Sequence, residues 1–317
     1  MFRTRTPAEL LDQQASLLAA RLTGVYDGDV NAVHDARIAT RRIRELLALV
    51  PLVPGRDPDE DPAVRYKEVG RALGRVRDID VKLALIRDLE AHAPQTARSL
   101  VVVRQEHERE RLAKMRRLIK TLERVEIDGL RRAITTRHAS ALRAHLASTG
   151  WRQQLRHLLC ERAQAAVERI DHATGVYFPN RIHKARIAIK QLRYAAEIAE
   201  GTSAREMAAA IKSLNKGQGI LGDLHDRQSL ADTLATYSDR DDVEFDQVRV
   251  AGQVLDGEVL ELHARYLTRR AGLLEACASI RRAAAPESRT RPVAALVTAL
   301  ALSGVVYTRR RFLPPAG

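Results

Sequence analysis

The sequence predicts an all-α protein assembled from helical bundles, and three observations carry that expectation. Apolar residues recur at helical spacing through almost every segment, as at Leu100, Val103, Leu112, Met115, Leu118, Ile119 and Leu122. No stretch alternates apolar and polar residues over the length of a strand, so no sheet is expected. Hydrophobic residues make up 45% of the 317 positions but aromatics only 4%, the rest being largely Ala, Leu, Val and Ile. Small and branched aliphatic side chains of this kind suit helix-on-helix packing.

The elements follow in order. Thr6-Pro7-Ala8-Glu9 has the form of a capping box with proline at the first helical position, opening a helix to about Leu22. Gly24 to Gly28 are expected to break it. A second helix covers about Val30 to Val50 and stops at Pro51 and Pro54, followed by an acidic loop from Gly55 to Asp61. Asp61-Pro62 opens a long helix to about Ala91, with Pro94 closing the turn after it. Helices are then expected over Gln95–Glu123, 127–147 and 151–172, with Gly150 as a breaker. Gly175 to Asn180 form a turn, and the next helix stops at Gly201. Residues 203–237 read as helical, weakened in the middle by Gly217, Gly219 and Gly222. An acidic loop at Asp239–Asp242 leads into a helix ending near Arg282, and a last helix covers about 292–308. Its nearly uncharged stretch, Pro292–Tyr307, falls short of the roughly 20 residues a bilayer span requires, so a buried terminal helix is expected.

Lysine and arginine outnumber aspartate and glutamate by 53 to 40, for a formal charge of +13. That balance draws anions over long range and bears on partners rather than on fold. Cys160 and Cys277 are far apart and show no metal-ligand spacing, so neither disulfide nor zinc site is expected, and no cofactor is implied. The charged N-terminus is not followed by an apolar segment; a secretory signal is not expected, and the cytoplasm is the expected compartment.

Comparing the chain with itself is more informative. The run Val33–Arg44 matches Ile182–Arg193, with His, Ala, Arg, Ile, Ala and the final Arg identical and Arg41 answered by Lys190. Downstream, Leu73-Gly74-Arg75-Val76-Arg77-Asp78 matches Leu221-Gly222-Asp223-Leu224-His225-Asp226 at nearly the same offset. Two blocks kept in order and register argue for duplication of a whole unit. Within the first block His34, Arg37, Arg41 and Arg44 fall on one helix face, while Ala36, Ala39, Ile43, Leu46 and Val50 occupy another. His183, Arg186, Lys190 and Arg193 repeat the stripe. A row of this kind suits a linear, phosphate-like anion, because guanidinium forks bind phosphate oxygens bidentately and stay charged. Each stripe considered alone is equally well a solvated face, and it is the repeat that favours the binding role.

These blocks resemble the signatures of the CHAD family, the conserved histidine α-helical domain. The resemblance rests on His34-x-x-Arg37-x-x-x-Arg41-Arg42-x-Arg44, on His183-x-x-Arg186-x-x-x-Lys190-x-x-Arg193-Tyr194, and on the Leu-Gly-x-x-x-Asp pieces at 73–78 and 221–226. It implies one domain over 1–317 made of two repeats, about 7–150 and about 151–310, as two pseudo-symmetric bundles with a basic groove or channel between them. It also implies inorganic polyphosphate as ligand and a location in the cytoplasm or at polyphosphate granules. The implied contacts are His34, Arg37, Arg41 and Arg44 facing His183, Arg186, Lys190 and Arg193, with a second row at Lys67, Arg71 and Arg75. Lys212 and Lys216 are the nearest analogues of that row in the second half, where Gly219 and Asp223 stand at the positions of Arg71 and Arg75. The first half is therefore expected to contribute more. The histidines are either direct anion contacts or hydrogen-bonded struts. Asp78 and Asp226 are expected to pair with basic neighbours or to serve helix packing, and Gly74 and Gly222 to permit close helix contact.

Other functions find less support. CHAD modules often accompany a triphosphate tunnel enzyme with a Glu-x-Glu-x-Lys strand, but Glu108-Arg109-Glu110-Arg111-Leu112 lacks the lysine and reads as helix. Gly217-Gln218-Gly219-Ile220-Leu221-Gly222 imitates a dinucleotide fingerprint without a preceding strand. No carboxylate cluster offers a metal site for phosphoryl transfer, so no enzyme is expected. Nucleic-acid binding is the main alternative, since the stripes would hold any phosphate backbone, but four Phe, seven Tyr and one Trp leave little for base stacking. A scaffold on acidic proteins or anionic membranes, with Arg309-Arg310-Arg311 as a weak anchor, is a third possibility.

Overall fold

A computed structural model of the chain describes residues 6–49, 61–136, 150–202 and 207–285. Among them the secondary structure is helical, with no strand. The elements are α1 (Pro7–Tyr26), α2 (Val30–Leu47), α3 (Pro62–His92), a 3-10 turn at Pro94–Thr96, and α4 (Ala97–Val125). There follow α5 (Ile127–Thr136), α6 (Gly150–His172), α7 (Pro179–Thr202), α8 (Ala208–Ala235) and α9 (Phe245–Ala284). The helix expected over 292–308, the Arg309–Arg311 anchor and the second half of the helix expected over 127–147 lie outside the described residues.

Local chemistry sets the helix starts. Thr6 caps α1 as expected, its hydroxyl accepting from the Glu9 amide at 3.2 Å while its own amide donates to the Glu9 carboxylate at 2.7 Å. Asp29 and Asp61 cap α2 and α3 through bonds to the amides of Ala32 (2.6 Å) and Ala63 (2.8 Å). The chain leaves α4 through Glu126 in the left-handed conformation, with φ of 49°.

The glycines behave differently from what their propensity suggests. Gly24 lies inside α1, and a Cβ there would come within 2.7 Å of the Ala32 Cβ, so its bareness brings α1 and α2 together rather than ending a helix. The break comes at Gly28, whose φ of 77° suits glycine. Gly150 and Gly201 are helical, and α8 runs unbroken through Gly217, Gly219 and Gly222. The dinucleotide-like letters are thus interior helix. Gly217 is pressed against Leu273 of α9, whereas Gly222 faces open space and permits no close helix contact.

The described helices up to Ala284 form one compact unit. In it α1 packs on α2, α2 on α3 and α3 on α4; later α6 packs on α7, α7 on α8 and α8 on α9, with α6 also against α9. The main core runs through both sets, from Leu18, Ile43 and Leu73 to Leu159, Leu192, Leu221 and Tyr266. A second, smaller core brings Ile86 and Leu89 of α3, Leu100 and Val103 of α4, Leu230 and Leu234 of α8, and Ala251 and Leu255 of α9 together. Polar bridges accompany it: Arg240 grips Glu106 with two bonds of 2.6 and 2.9 Å, Tyr237 donates to the same carboxylate at 2.8 Å, and Lys82 reaches Thr233 at 2.7 Å.

Candidate functional site

The packed face of α2, Ala36, Ala39, Ile43 and Leu46, is buried against its neighbours. That burial forces Arg37, Arg41 and Arg44 onto the side where α3 passes. There they line a cleft of about 380 Å³ together with Thr40, with Gly70, Arg71, Gly74, Arg75 and Asp78 of α3, and with Lys190 of α7. Six cationic side chains face it against one carboxylate, and Lys190 alone comes from the second half of the chain. The remaining expected residues sit elsewhere. Lys67, Lys212 and Lys216 are exposed on α3 and α8, and neither they nor His34, His183, Arg186 and Arg193 belong to the cleft lining.

Arg37 is held in place. Its Nη1 donates to the Gly74 carbonyl at 3.1 Å and to Asp78 Oδ1 at 2.8 Å. Gly74 makes room for this guanidinium, since a Cβ would lie 3.3 Å from Nη1. Its small size thus serves a side chain rather than a helix backbone. Arg41 donates to the Tyr194 hydroxyl at 2.6 Å, and Arg193 stacks 4.4 Å over the same ring, so one tyrosine of α7 organises cations from both stripes. Arg193 is further engaged by Gln218 at 2.9 Å and by Glu197 one turn along, and Arg42 reaches Glu197 at 3.3 Å. Arg162 ties α6 to α2 through Glu45 at 2.7 Å. By contrast Arg44, Arg71, Arg75 and Lys190 make no ion pair among the described residues.

The unpaired charge registers in the titration of buried neighbours. Burial, then Arg41, Arg186 and Arg37, pull the Lys190 ammonium down to about 8, with Glu45 opposing. Burial also lowers Arg186, only partly offset by Asp226, and raises the Asp226 carboxyl despite Arg186 beside it. Behind this pair the rings of His183 and His225 lie 5.0 Å apart. Burial followed by Arg186 and His183 depresses His225 to about 4, and His183 is lowered by burial, Arg186 and Lys190. His34, at the outer end of its stripe, is lowered by desolvation and by Arg77. All three rings therefore stay neutral at pH 7 within this positive field.

Several participants escaped the motif reading. His225 stands where the repeat places Arg77, and that alignment was its only sequence signal. Tyr194 stood in the family signature without a role assigned to it, and Gln218 and Glu197 carried no signal, because their bonds to Arg193 and Arg42 cross between helices. Among the described residues no group of three His, Cys, Asp or Glu side chains could hold a metal, and no helix is long and apolar enough to cross a membrane.

Fold and cleft together define a class: an all-helical domain whose paired long helices present clustered arginines to solvent. A family model described as the CHAD domain matches residues 9–235, and the chain belongs to that family. The match ends before α9, short of the C-terminal helix to which the resemblance extended. The crystal structure of the CHAD domain from the plant Ricinus communis is similar in fold, with 20% identity, a TM-score of 0.57, and coverage of 88% of this chain and 96% of that one. PptA from Streptomyces chartreusis is similar at 16% identity and a TM-score of 0.55, covering 83% of this chain and 97% of that one. At such identities the likeness concerns fold alone. No curated protein matches the chain.

Proposed function

We propose that this protein binds inorganic polyphosphate in the cleft between α2 and α3 without turning it over, in the cytoplasm or at polyphosphate granules. The observation that carries the proposal is the charge imbalance of the cleft: five arginines and Lys190 against Asp78 alone. Arg44, Arg71 and Arg75 have forks to spare, and a chain of phosphates would supply the missing counter-charge at short, repeated intervals. Lys190, held near 8 by burial and then by its cationic neighbours, would be restored toward its ordinary value once an anion sat among them. The uneven lining supports the expectation that the first half contributes more. We further propose that the fold is a duplication of one helical unit, with the cleft in the first copy closed on one side by Lys190 of the second. The matching packing orders, α1 to α4 and α6 to α9, support that reading, as do the aligned His-Arg blocks.

The test is a titration of long-chain polyphosphate, single-stranded DNA and double-stranded DNA at several salt concentrations. The wild type is compared with a variant carrying Arg41→Ala, Arg44→Ala, Arg75→Ala and Lys190→Ala. Polyphosphate affinity should fall with salt, by analogy with nucleic acids at about 0.7–0.9 log units per log unit of salt for each phosphate neutralised. The variant should bind far more weakly and with a shallower slope. Equal competition by both DNAs at physiological salt overturns the specific reading; an unaltered variant overturns the site. Incubation with polyphosphate and magnesium or manganese should release no orthophosphate, and steady release would make the protein an enzyme.

A further inference from the structure

The cleft is not the only place where positive charge goes unanswered. On α4, Arg109, Arg116, Arg117 and Lys120 are exposed, and none makes an ion pair among the described residues. The other cations of that stretch are engaged: Arg111 with Asp80, Lys114 with Glu110, and Arg124 with Glu68.

Two of those ion pairs fix the register of α3 against α4. Asp80 lies opposite Arg111 and Glu68 opposite Arg124, so the helices run antiparallel. Seven residues on from Glu68, on the same face of α3, stands Arg75; seven residues back from Arg124, on the same face of α4, stands Arg117. Arg75 and Arg117 therefore occupy, two turns along, the relation that Glu68 and Arg124 fill with an ion pair. Here both members are cations. By the same register Arg71 comes level with Lys120. Arg71 and Arg75 also line the cleft, which makes them the link between it and the outer face of α4. Packed helices lie about 8–10 Å apart, well within the reach of two arginines that share one bound chain.

We propose that the cleft opens onto a second anion-binding track, running from Arg71 and Arg75 over α3 to Arg116, Arg117 and Lys120 of α4. Its occupant is a continuous linear polyphosphate too long for the cleft. The inference rests on the polyphosphate reading above and deepens it into a selection for chain length. A short oligomer fills the cleft and touches none of the α4 cations, whereas a long chain leaves it past Arg75 and meets them.

The experiment compares tripolyphosphate, long-chain polyphosphate and double-stranded DNA on the full chain. It uses the wild type, an α4 variant (Arg116→Glu, Arg117→Glu, Lys120→Glu) and the cleft variant described above. All three α4 positions are exposed, so that variant should keep the wild-type melting temperature, checked by circular dichroism. Long chains, compared per chain end, should bind the wild type about tenfold or more tighter than tripolyphosphate. The α4 variant should lose most of that advantage and about 2–3 units of salt slope while binding tripolyphosphate normally. Equal affinity for both lengths, or a long-chain affinity untouched by the α4 changes, overturns the track. Loss of double-stranded DNA retention without loss of long-chain polyphosphate assigns the surface to nucleic acid and overturns it too. If the wild type binds neither polyphosphate, the underlying reading has failed and the track falls with it.

Discussion

Lys190 carries the sharpest consequence of the site's electrostatics. Its ordinary value is 10.5, and burial among Arg41, Arg186 and Arg37 brings it to about 8. The native state thus disfavours the charged form, and the cost is present in full below pH 8, where both folded and unfolded chains carry the proton. Between pH 8 and 10.5 the unfolded chain binds more protons than the folded one, so stability rises with pH until the cost is gone. Lys190→Met should accordingly stabilise the free protein at pH 7 by about 1–3 kcal/mol while weakening polyphosphate binding. Thermal melts in the pH series check this. The difference from wild type should close as pH approaches 10.5, and a variant melting no higher than wild type at pH 7 would contradict the buried-charge account. Arg193 illustrates the opposite case. It stands in the stripe by sequence, yet Gln218, Glu197 and the Tyr194 ring occupy its guanidinium.

At the scale of the helices, glycine position separates propensity from packing. A mid-helix Gly→Ala change gains about 0.8–1 kcal/mol where the methyl group meets nothing. Gly222 is such a place, with no atom within 4 Å of a built Cβ, so Gly222→Ala should raise the denaturation midpoint. Gly24→Ala should lower it, because its Cβ would stand 2.7 Å from the Ala32 Cβ, and only separating α1 from α2 relieves that contact. Chemical denaturation of the two variants decides the matter; equal and positive shifts would mean the α1–α2 crossing tolerates a methyl group. Helix existence and most boundaries were legible in the apolar spacing and the caps. Glycine misleads at Gly24, which lies inside α1, while the chain turns at Gly28. A helix already fixed by burial along its length absorbs the propensity cost of one glycine, and sequence alone does not reveal how closely a neighbour approaches.

For the whole molecule, the lowered histidines set the behaviour in acid. His34, His183, His225 and His263 are all displaced downward, His225 to about 4, so each is neutral in the native protein at a pH where the unfolded chain would protonate it. Their contribution is intact above the ordinary value of 6.5 and is lost as pH falls toward 4. The melting temperature should drop across that window. Saturating polyphosphate should restore more of it at pH 5 than at pH 7, because the bound anion favours the charged rings of His183 and His225. Calorimetry at both values, with and without ligand, checks the sign; equal protection at both would remove these rings from the anion's field.

By itself the sequence determined the helical class, the caps, the two His-Arg stripes and the family. All of these depend on residues near one another in the chain, where a 3.6-residue period converts spacing into a face. Only the tertiary structure decided which stripe members meet. Lys190 joins Arg37, Arg41 and Arg44 at one cleft across some 150 residues of chain, Arg193 turns inward to Glu197, and His225 comes to rest beside His183. The outer run of α4 reads in sequence as an ordinary charged face. Its continuity with the cleft exists because two ion pairs set the register of α3 on α4 and bring Arg75 opposite Arg117. Helical periodicity places a side chain on a face; the neighbour that face meets depends on crossings and registers settled by packing between distant segments.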